Sequence, residues 1–357
     1  MSELELRPGR PEDDEARDAY VRAHPRGTFF HLSGWERVVR GVFGHRRRDL
    51  LAWQGDRLAG VLPLMQSPRL FGGSNLLSMP FAVYGGPVAD DAAVEADLLG
   101  AARDLGRELG AGRVELRMRE APLVEDGPAP PGGLPELHPG SLYVTFERDL
   151  PEDPADVLAR MPKKARAEAR KARTRHGLQL ASGVWFVDDL YRLFLRNKRQ
   201  LGSPGMPASL FAALIDEFGT DCEVHLVRRG KDALAAVMTF AYGDTLLAYY
   251  SGTGEGVDRT FSASNFMYMA LQEWAVERGF RRFDFGRSRR DSGAMSFKQR
   301  QGFEAAGLPY RYLPVRSKDL PSFTPSNPKL KPLLDTWKRL PLWMVQRMST
   351  SLARYLP

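Results

Sequence analysis

"SNFMYMALQEWAVERGFRRFDFGRSRRDSGAMSFKQRQGFEA", residues 264–305, decides how the chain folds. It reads as a long helix closed by Gly279 and a strand in which Asp284 alternates with Phe283 and Phe285. An arginine loop follows, then a short helix, 293–300, stopped by Gly302 and Phe303. Arg287, Arg289, Arg290 and Lys298 thus gather around one strand end. Like charges held together repel unless an anion sits among them, and loops after strands are where α/β proteins bind ligands.

The same order occurs twice. Helical patterns at 12–23 and 33–41 precede a hairpin at 45–66, and helical patterns at 188–201 and 207–218 precede a second hairpin at 221–243. Each hairpin leads through another apolar strand to a long helix that ends in glycine and enters a strand. In the first half this is "DLLGAARDLGRELGAGRVELRMR"; in the second it is the opening stretch. A repeat at half the chain length predicts two domains of one α/β (α+β) fold, joined near "LYVTFERDLPEDP" (142–154). The alternative, a single large mixed sheet, needs a core of unusual size. At 357 residues and 43% hydrophobic, the chain can fill two ordinary cores.

The net charge of +7 is concentrated in two segments. Residues 162–176 carry seven Lys/Arg against one Glu, which argues for an anionic partner there. Pro154 and Pro162 suit first helical positions, and Leu158, Met161, Ala165, Ala169 and Ala172 form a narrow seam for close packing. Lys163, Arg166, Arg170 and Arg173 then line one face at i+3/i+4 spacing. That row is a solvated face, a grip on a diphosphate, or a track for tRNA phosphates, and it lacks the aromatics that base reading needs. Residues 316–357 carry eight Lys/Arg against two Asp: a proline-rich linker, "LPSFTPSNPKLKP", and a basic amphipathic helix. Leu340, Trp343, Met344, Met348 and Leu352 form its apolar side, which fits packing on the first domain or lying on an anionic membrane surface.

Other chemistries find no residues. The N-terminus is charged from its third residue, so neither signal peptide nor anchor is expected, and no run reaches the roughly 18 apolar residues of a spanning helix. The lone Cys222 suits a reducing compartment, and the expectation is a cytoplasmic protein. Cys222 and His225 fall on opposite faces of one strand, and no two of the six histidines have metal-ligand spacing on one helix. Without a Ser-His-Asp or Cys-His arrangement or a metal, what remains is direct attack in a pre-organised site.

The second half resembles the N-acetyltransferase (GNAT) fold, with "FKQRQGF" where those enzymes close a tyrosine-containing helix in Gly-Phe. Two such units, the second opened by "KKARAEARKARTRHGL", resemble the FemAB family of peptidyl and aminoacyl transferases. With "MPFAVYGGPV" (79–88) and "WKRLPLWMVQRMS", the chain is most similar to FemAB-like proteins associated with PEP-CTERM/exosortase systems. The resemblance implies a GNAT-like domain at 1–150, a second at 151–315 carrying the active site, and a helical tail at 316–357 packed on the first. It implies acyl transfer to an amine of a phosphate-bearing envelope or exopolysaccharide precursor. The donor is aminoacyl-tRNA or acyl-CoA, with no tightly bound cofactor and no metal. One departure bears on the donor: GNAT enzymes seat the coenzyme A pyrophosphate on a glycine loop, and the matching "RTFSAS" (259–264) has serine at both glycine positions.

By resemblance Lys298 stands near substrate phosphates and the reaction centre; otherwise it is a solvated lysine. Arg287, Arg289 and Arg290 bind an anion or pair with Asp284 and Asp291. Asp284 relays a proton or pairs with Arg282 or Arg287. Tyr249 and Tyr250, on opposite faces of "LLAYYSGTG", supply one core ring and one cleft ring. Asn265 is an early-turn residue or a donor toward the acyl carbonyl. Lys163, Arg166, Arg170 and Tyr84 complete the expected substrate contacts. A non-catalytic scaffold or RNA-binding protein is the alternative of another class.

Overall fold

The computed structural model describes residues 3–123, 142–316 and 331–356. The expected linker, 320–332, lies outside them up to residue 330. Two compact units emerge, one from the described parts of Met1–Tyr143, Gly307–Ser322 and Arg354–Pro357, the other from Val144–Ala306 and Phe323–Ala353.

In the first unit the predicted hairpin is Leu50–Gln54 with Arg57–Leu62, flanked by Leu4–Pro8 and Val88–Ala89 in an antiparallel sheet. The helix Ala92–Glu108, capped by Asp91, packs Val94, Leu98 and Ala102 into the core beneath it. A second sheet runs Arg311–Pro314, Arg113–Leu116, Ser74–Leu77, Met65–Pro68, Arg46–Arg47. Under the hairpin lies a buried ion cluster. Arg17, wholly buried, donates to Glu36 and Asp49 at 2.9 Å each and to the His31 carbonyl.

The second unit holds one six-stranded sheet in the order Glu147–Asp149, Arg282–Asp284, Thr245–Thr253, Asp232–Tyr242, Cys222–Arg229, Gln179–Ser182. The long helix Ala263–Glu277 is apolar nearly all round because it is covered twice. Phe266, Met267 and Leu271 join the core with sheet residues Val237 and Ala248, and Ala165, Ala169 and Ala172 of the basic helix Lys163–Thr174 pack on it too. The helix Val187–Leu201 crosses Thr245–Thr253 so closely that a Cβ on Gly252 would stand 2.3 Å from the Phe194 nitrogen.

Two expectations change. The last strand of the repeat, Arg311–Pro314, pairs with Arg113–Leu116 in the first unit's sheet, while Glu147–Asp149, from the end of the first half, pairs with Arg282–Asp284 in the second. Each half thus completes the other's sheet, which alternation along a short strand cannot reveal, because any free edge accepts it. The tail helices, expected on the first domain, pack on the second unit, and only the end of the tail from Arg354 belongs to the first. Trp337 and Val345, from helices Lys331–Arg339 and Leu342–Leu352, meet Leu195, and Ser349 Oγ accepts the Gly205 N–H. Pro341 breaks the tail into two helices, and the buried face becomes Leu342, Val345, Ser349 and Leu352, which leaves Trp343 66% exposed. No helix of the described residues is long and apolar enough to cross a membrane.

Removing Arg17 leaves the Glu36 and Asp49 carboxylates buried together, so Arg17→Leu is expected to cost about 3–5 kcal/mol in urea unfolding. Burial and Asp49 hold the Glu36 carboxyl up, to about 7, and the substitution raises it further. A carboxyl raised in the folded state loses stability as pH rises, so the deficit is larger at pH 8 than at pH 5.

Candidate active site

The parallel pairing of Thr245–Thr253 with Arg282–Asp284 matches Thr245, Leu246 and Leu247 to Arg282, Phe283 and Asp284, and stops there. On the other side of the longer strand, Met238 faces Tyr250 and Thr239 faces Ala248, so Tyr249 is an extra residue in a bulge. Two neighbouring strands therefore cease to pair where one is bulged and the other turns into the arginine loop at Gly286, whose φ of 65° suits glycine.

Lys298 fixes that loop. It lies on the helix Gly293–Arg300, which Ser292 caps by accepting the Met295 N–H. Its ammonium, 7% exposed, donates to the carbonyls of Phe285 (2.6 Å), Gly286 (2.8 Å) and Arg287 (3.1 Å). Three protons meet three acceptors, and the rings of Phe146 and Phe285 stand 5.2 and 5.1 Å away. Lys298 points at the strand end, and it is buried rather than solvated. Burial pulls its ammonium down, to about 7, with Asp284 opposing and Arg287 reinforcing. Asp284, 4% exposed, accepts the Gly286 N–H at 2.7 Å and so braces the same turn, whereas Arg282 pairs with Asp149.

Around the loop, Arg287, Arg289 and Arg290 are half-buried, and the Arg290 Nε is buried without a hydrogen bond. Tyr250 is 7% exposed, its ring 5.8 Å from Phe194 and 5.2 Å from Phe211, and its hydroxyl has no partner. Burial holds that hydroxyl well above its ordinary pKa, so it keeps its proton and can only donate or accept a hydrogen bond. The expected separation of Tyr249 and Tyr250 does not occur: the bulge brings their rings to 4.7 Å. Asn265 Oδ1 accepts from Gln301 Nε2 at 2.6 Å. Tyr84 belongs to the first unit, where it is buried beside Phe30 under the Arg119 guanidinium, in a loop whose Met79 and Phe81 hold φ of 58° and 61°.

The basic helix presents Lys163 and Arg170 to solvent, and Arg166 donates to the Ala159 carbonyl at 3.2 Å. The row is interrupted, because Arg173 pairs with Glu273. Beside it the serine loop is already filled. Asp258 accepts the Ser264 N–H and hydroxyl at 2.7 Å each, and Glu168 accepts the Ser262 hydroxyl. Asp258 thereby caps the long helix, where a glycine loop would offer bare amides to a phosphate. Sequence reasoning passed over Asp258 because it lies in the first turn of a short helix, Val257–Phe261, that turns it back toward Ser264.

A family model described as an acetyltransferase (GNAT) domain matches residues 159–299. Among solved structures, FemX is similar over 87% of this chain and 98% of its own, at 14% identity and a TM-score of 0.66. A tandem GNAT protein from the clavulanic acid biosynthesis pathway matches over 89% and 100%, at 15% identity and 0.51. L-PGS from Bacillus licheniformis matches over 94% and 98%, at 14% and 0.50. A search of curated proteins finds no match. The fold is that of tandem GNAT proteins, and the second unit carries a domain of the acyl-transferring class.

Lys298→Met leaves three loop carbonyls without their donor and is expected to lower the unfolding free energy by about 1–3 kcal/mol. The folded lysine binds its proton less tightly than the unfolded one, so wild type gains stability from pH 7 toward 10 and the gap widens. Equal stability of the two proteins at both pH values would contradict the clamp.

Proposed function

We propose that the chain is a FemAB-like N-acyltransferase. Its second unit joins an acyl group, foremost an aminoacyl group, to an amine of a phosphate-bearing cell-envelope or exopolysaccharide precursor. The choice of donor rests on Asp258. A carboxylate seated on the Ser264 N–H repels a second anion, so the coenzyme A pyrophosphate has lost its usual seat. An aminoacyl ester on tRNA does not need that seat. Lys163 and Arg170, exposed on the neighbouring helix, suit its phosphates. Likeness to FemX in fold supports this reading, and the stretches resembling PEP-CTERM-associated proteins supply the envelope context.

In this mechanism the amine lone pair attacks the acyl carbon, the C–N bond forms, and the ester C–O bond breaks. The amine proton leaves with the departing oxygen or through Asp284. Arg287, Arg289 and Arg290 hold the acceptor's anionic part while Tyr249 lines it. Lys298 is a positioning residue: its protons are on loop carbonyls, so it acts by aiming Arg287. The exposed Trp343 and Met348 beside Arg347 suit peripheral contact with the inner face of the membrane, where such acceptors are made.

The second reading, acetyl-CoA-dependent acylation of an amino sugar, is favoured by the acetyltransferase match alone. Isothermal titration separates the two. Acetyl-CoA is expected not to bind at micromolar concentration, whereas aminoacyl-tRNA binds with an affinity that falls with salt and drops in Lys163→Glu/Arg170→Glu. Micromolar acetyl-CoA binding overturns the donor assignment.

A further inference from the structure

The turn "RLFGG" (69–73) joins Met65–Pro68 to Ser74–Leu77 in the first unit's second sheet. Turn residues are ordinarily small or polar, yet this turn carries two bulky apolar neighbours, Leu70 at 47% and Phe71 at 85% exposure. No other large hydrophobic residue among those described is as exposed as Phe71. The turn is closed: the Arg69 N–H donates to the Gly73 carbonyl at 3.0 Å and the Gly72 N–H to the Arg69 carbonyl at 3.2 Å. Gly72 and Gly73, at φ of 88° and 74°, permit that closure, and a Cβ on either would meet nothing within 4 Å. Leu70 and Phe71 are thus held out to solvent on a convex tip. One exposed apolar residue needs no explanation, but two fixed side by side on a turn ask for an apolar partner.

The charge behind the tip selects that partner. Residues 57–89 contain no Asp or Glu. Arg69 opens the turn, and Arg46, on the adjacent strand Arg46–Arg47, lies opposite Gln66. Gln66 precedes Arg69 by about 10 Å of strand, comparable with the screening length at moderate salt. Arg46 and Arg69 are both exposed, and their side chains make no hydrogen bond or ion pair among the described residues. Arg48, which donates to Gln66 Oε1 at 3.2 Å, adds a third cation there. Cations behind an apolar point suit an anionic bilayer, whose head groups meet the arginines while the apolar side chains enter the interface. A convex tip offers a peptide no groove, whereas a bilayer yields to it.

We propose that Leu70 and Phe71, backed by Arg69 and Arg46, dock the first unit on an anionic lipid bilayer. The tip deepens the peripheral membrane contact described above, but it rests on other residues, in the other unit, so each contact can fail alone. Because the turn is already closed, little conformational freedom is lost when it enters the interface. Held there, the chain works at the surface where lipid-borne acceptors are concentrated, whichever acyl donor it uses.

The test is co-sedimentation of the full chain with vesicles of phosphatidylcholine and phosphatidylglycerol in equal parts, beside vesicles of phosphatidylcholine alone. Wild type is expected to bind the mixed vesicles more tightly than the neutral ones, and sodium chloride to weaken that binding. Leu70→Ser/Phe71→Ser is expected to melt with wild type, because both side chains stand in solvent, and to bind about tenfold more weakly. Arg46→Glu/Arg69→Glu weakens binding severalfold and removes the preference for anionic lipid. Absence of vesicle binding by wild type, or wild-type affinity in the tip variants, overturns the docking point. Loss of binding confined to Trp343→Ser also overturns it and leaves the tail contact standing. A monomer–dimer equilibrium abolished by Leu70→Ser/Phe71→Ser, without vesicle binding, assigns the tip to a second copy of the chain instead.

Discussion

The ammonium of Lys298 on the carbonyls of Phe285, Gly286 and Arg287 is the contact on which the second unit's site depends. A parallel strand that ends after three paired residues has carbonyls that no neighbouring strand satisfies, and buried carbonyls must find donors. One lysine supplies three, from a helix only eight residues long. Its burial is tolerable because the acceptors, the adjacent rings and the Asp284 carboxylate replace water around the charge. The loop is thereby held in one shape, and its arginines are presented without a flexible hinge behind them.

The same principle, a buried polar group satisfied by a residue close in sequence but turned back in space, recurs at the long helix. Asp258 closes the N-terminus of Ala263–Glu277 with two 2.7 Å bonds. In a glycine loop the backbone N–H faces outward to a phosphate; here the protein's own carboxylate holds it, together with the Ser264 hydroxyl. A helix flanked by the alanine seam of the basic helix and by the sheet is thus fixed at its start, and so is Asn265, which ties it to Gln301 at the end of the lysine helix.

Much of this was legible in the sequence, and the reasons are physical. Long periodic elements announced themselves: the helices at 188–201 and 207–218 are observed at Val187–Leu201 and Ala208–Phe218, and both hairpins fall where their turn residues put them. The alanine seam was readable because small residues at helical spacing serve close packing and little else. The destination of Arg311–Pro314 was not readable, because a four-residue strand carries no mark of which edge it joins. Nor was the exposed face of Leu342–Leu352, where Val345 and Ser349 proved a better fit to Leu195 and Gly205 than the bulkier Trp343. Tyr249 and Tyr250 were separated by strict alternation, which a single bulge residue undoes.

The sequence by itself determined the duplicated α/β fold, the gathering of cations after Phe285 and the loss of the glycine loop, because periodicity, charge spacing and glycine content are properties of the chain alone. Only the tertiary structure decided what each cation does. It turned Lys298 inward to the backbone and paired Arg173 with Glu273. A charge takes its role from its partners in space and from how much water surrounds it, and neither is written in the order of residues.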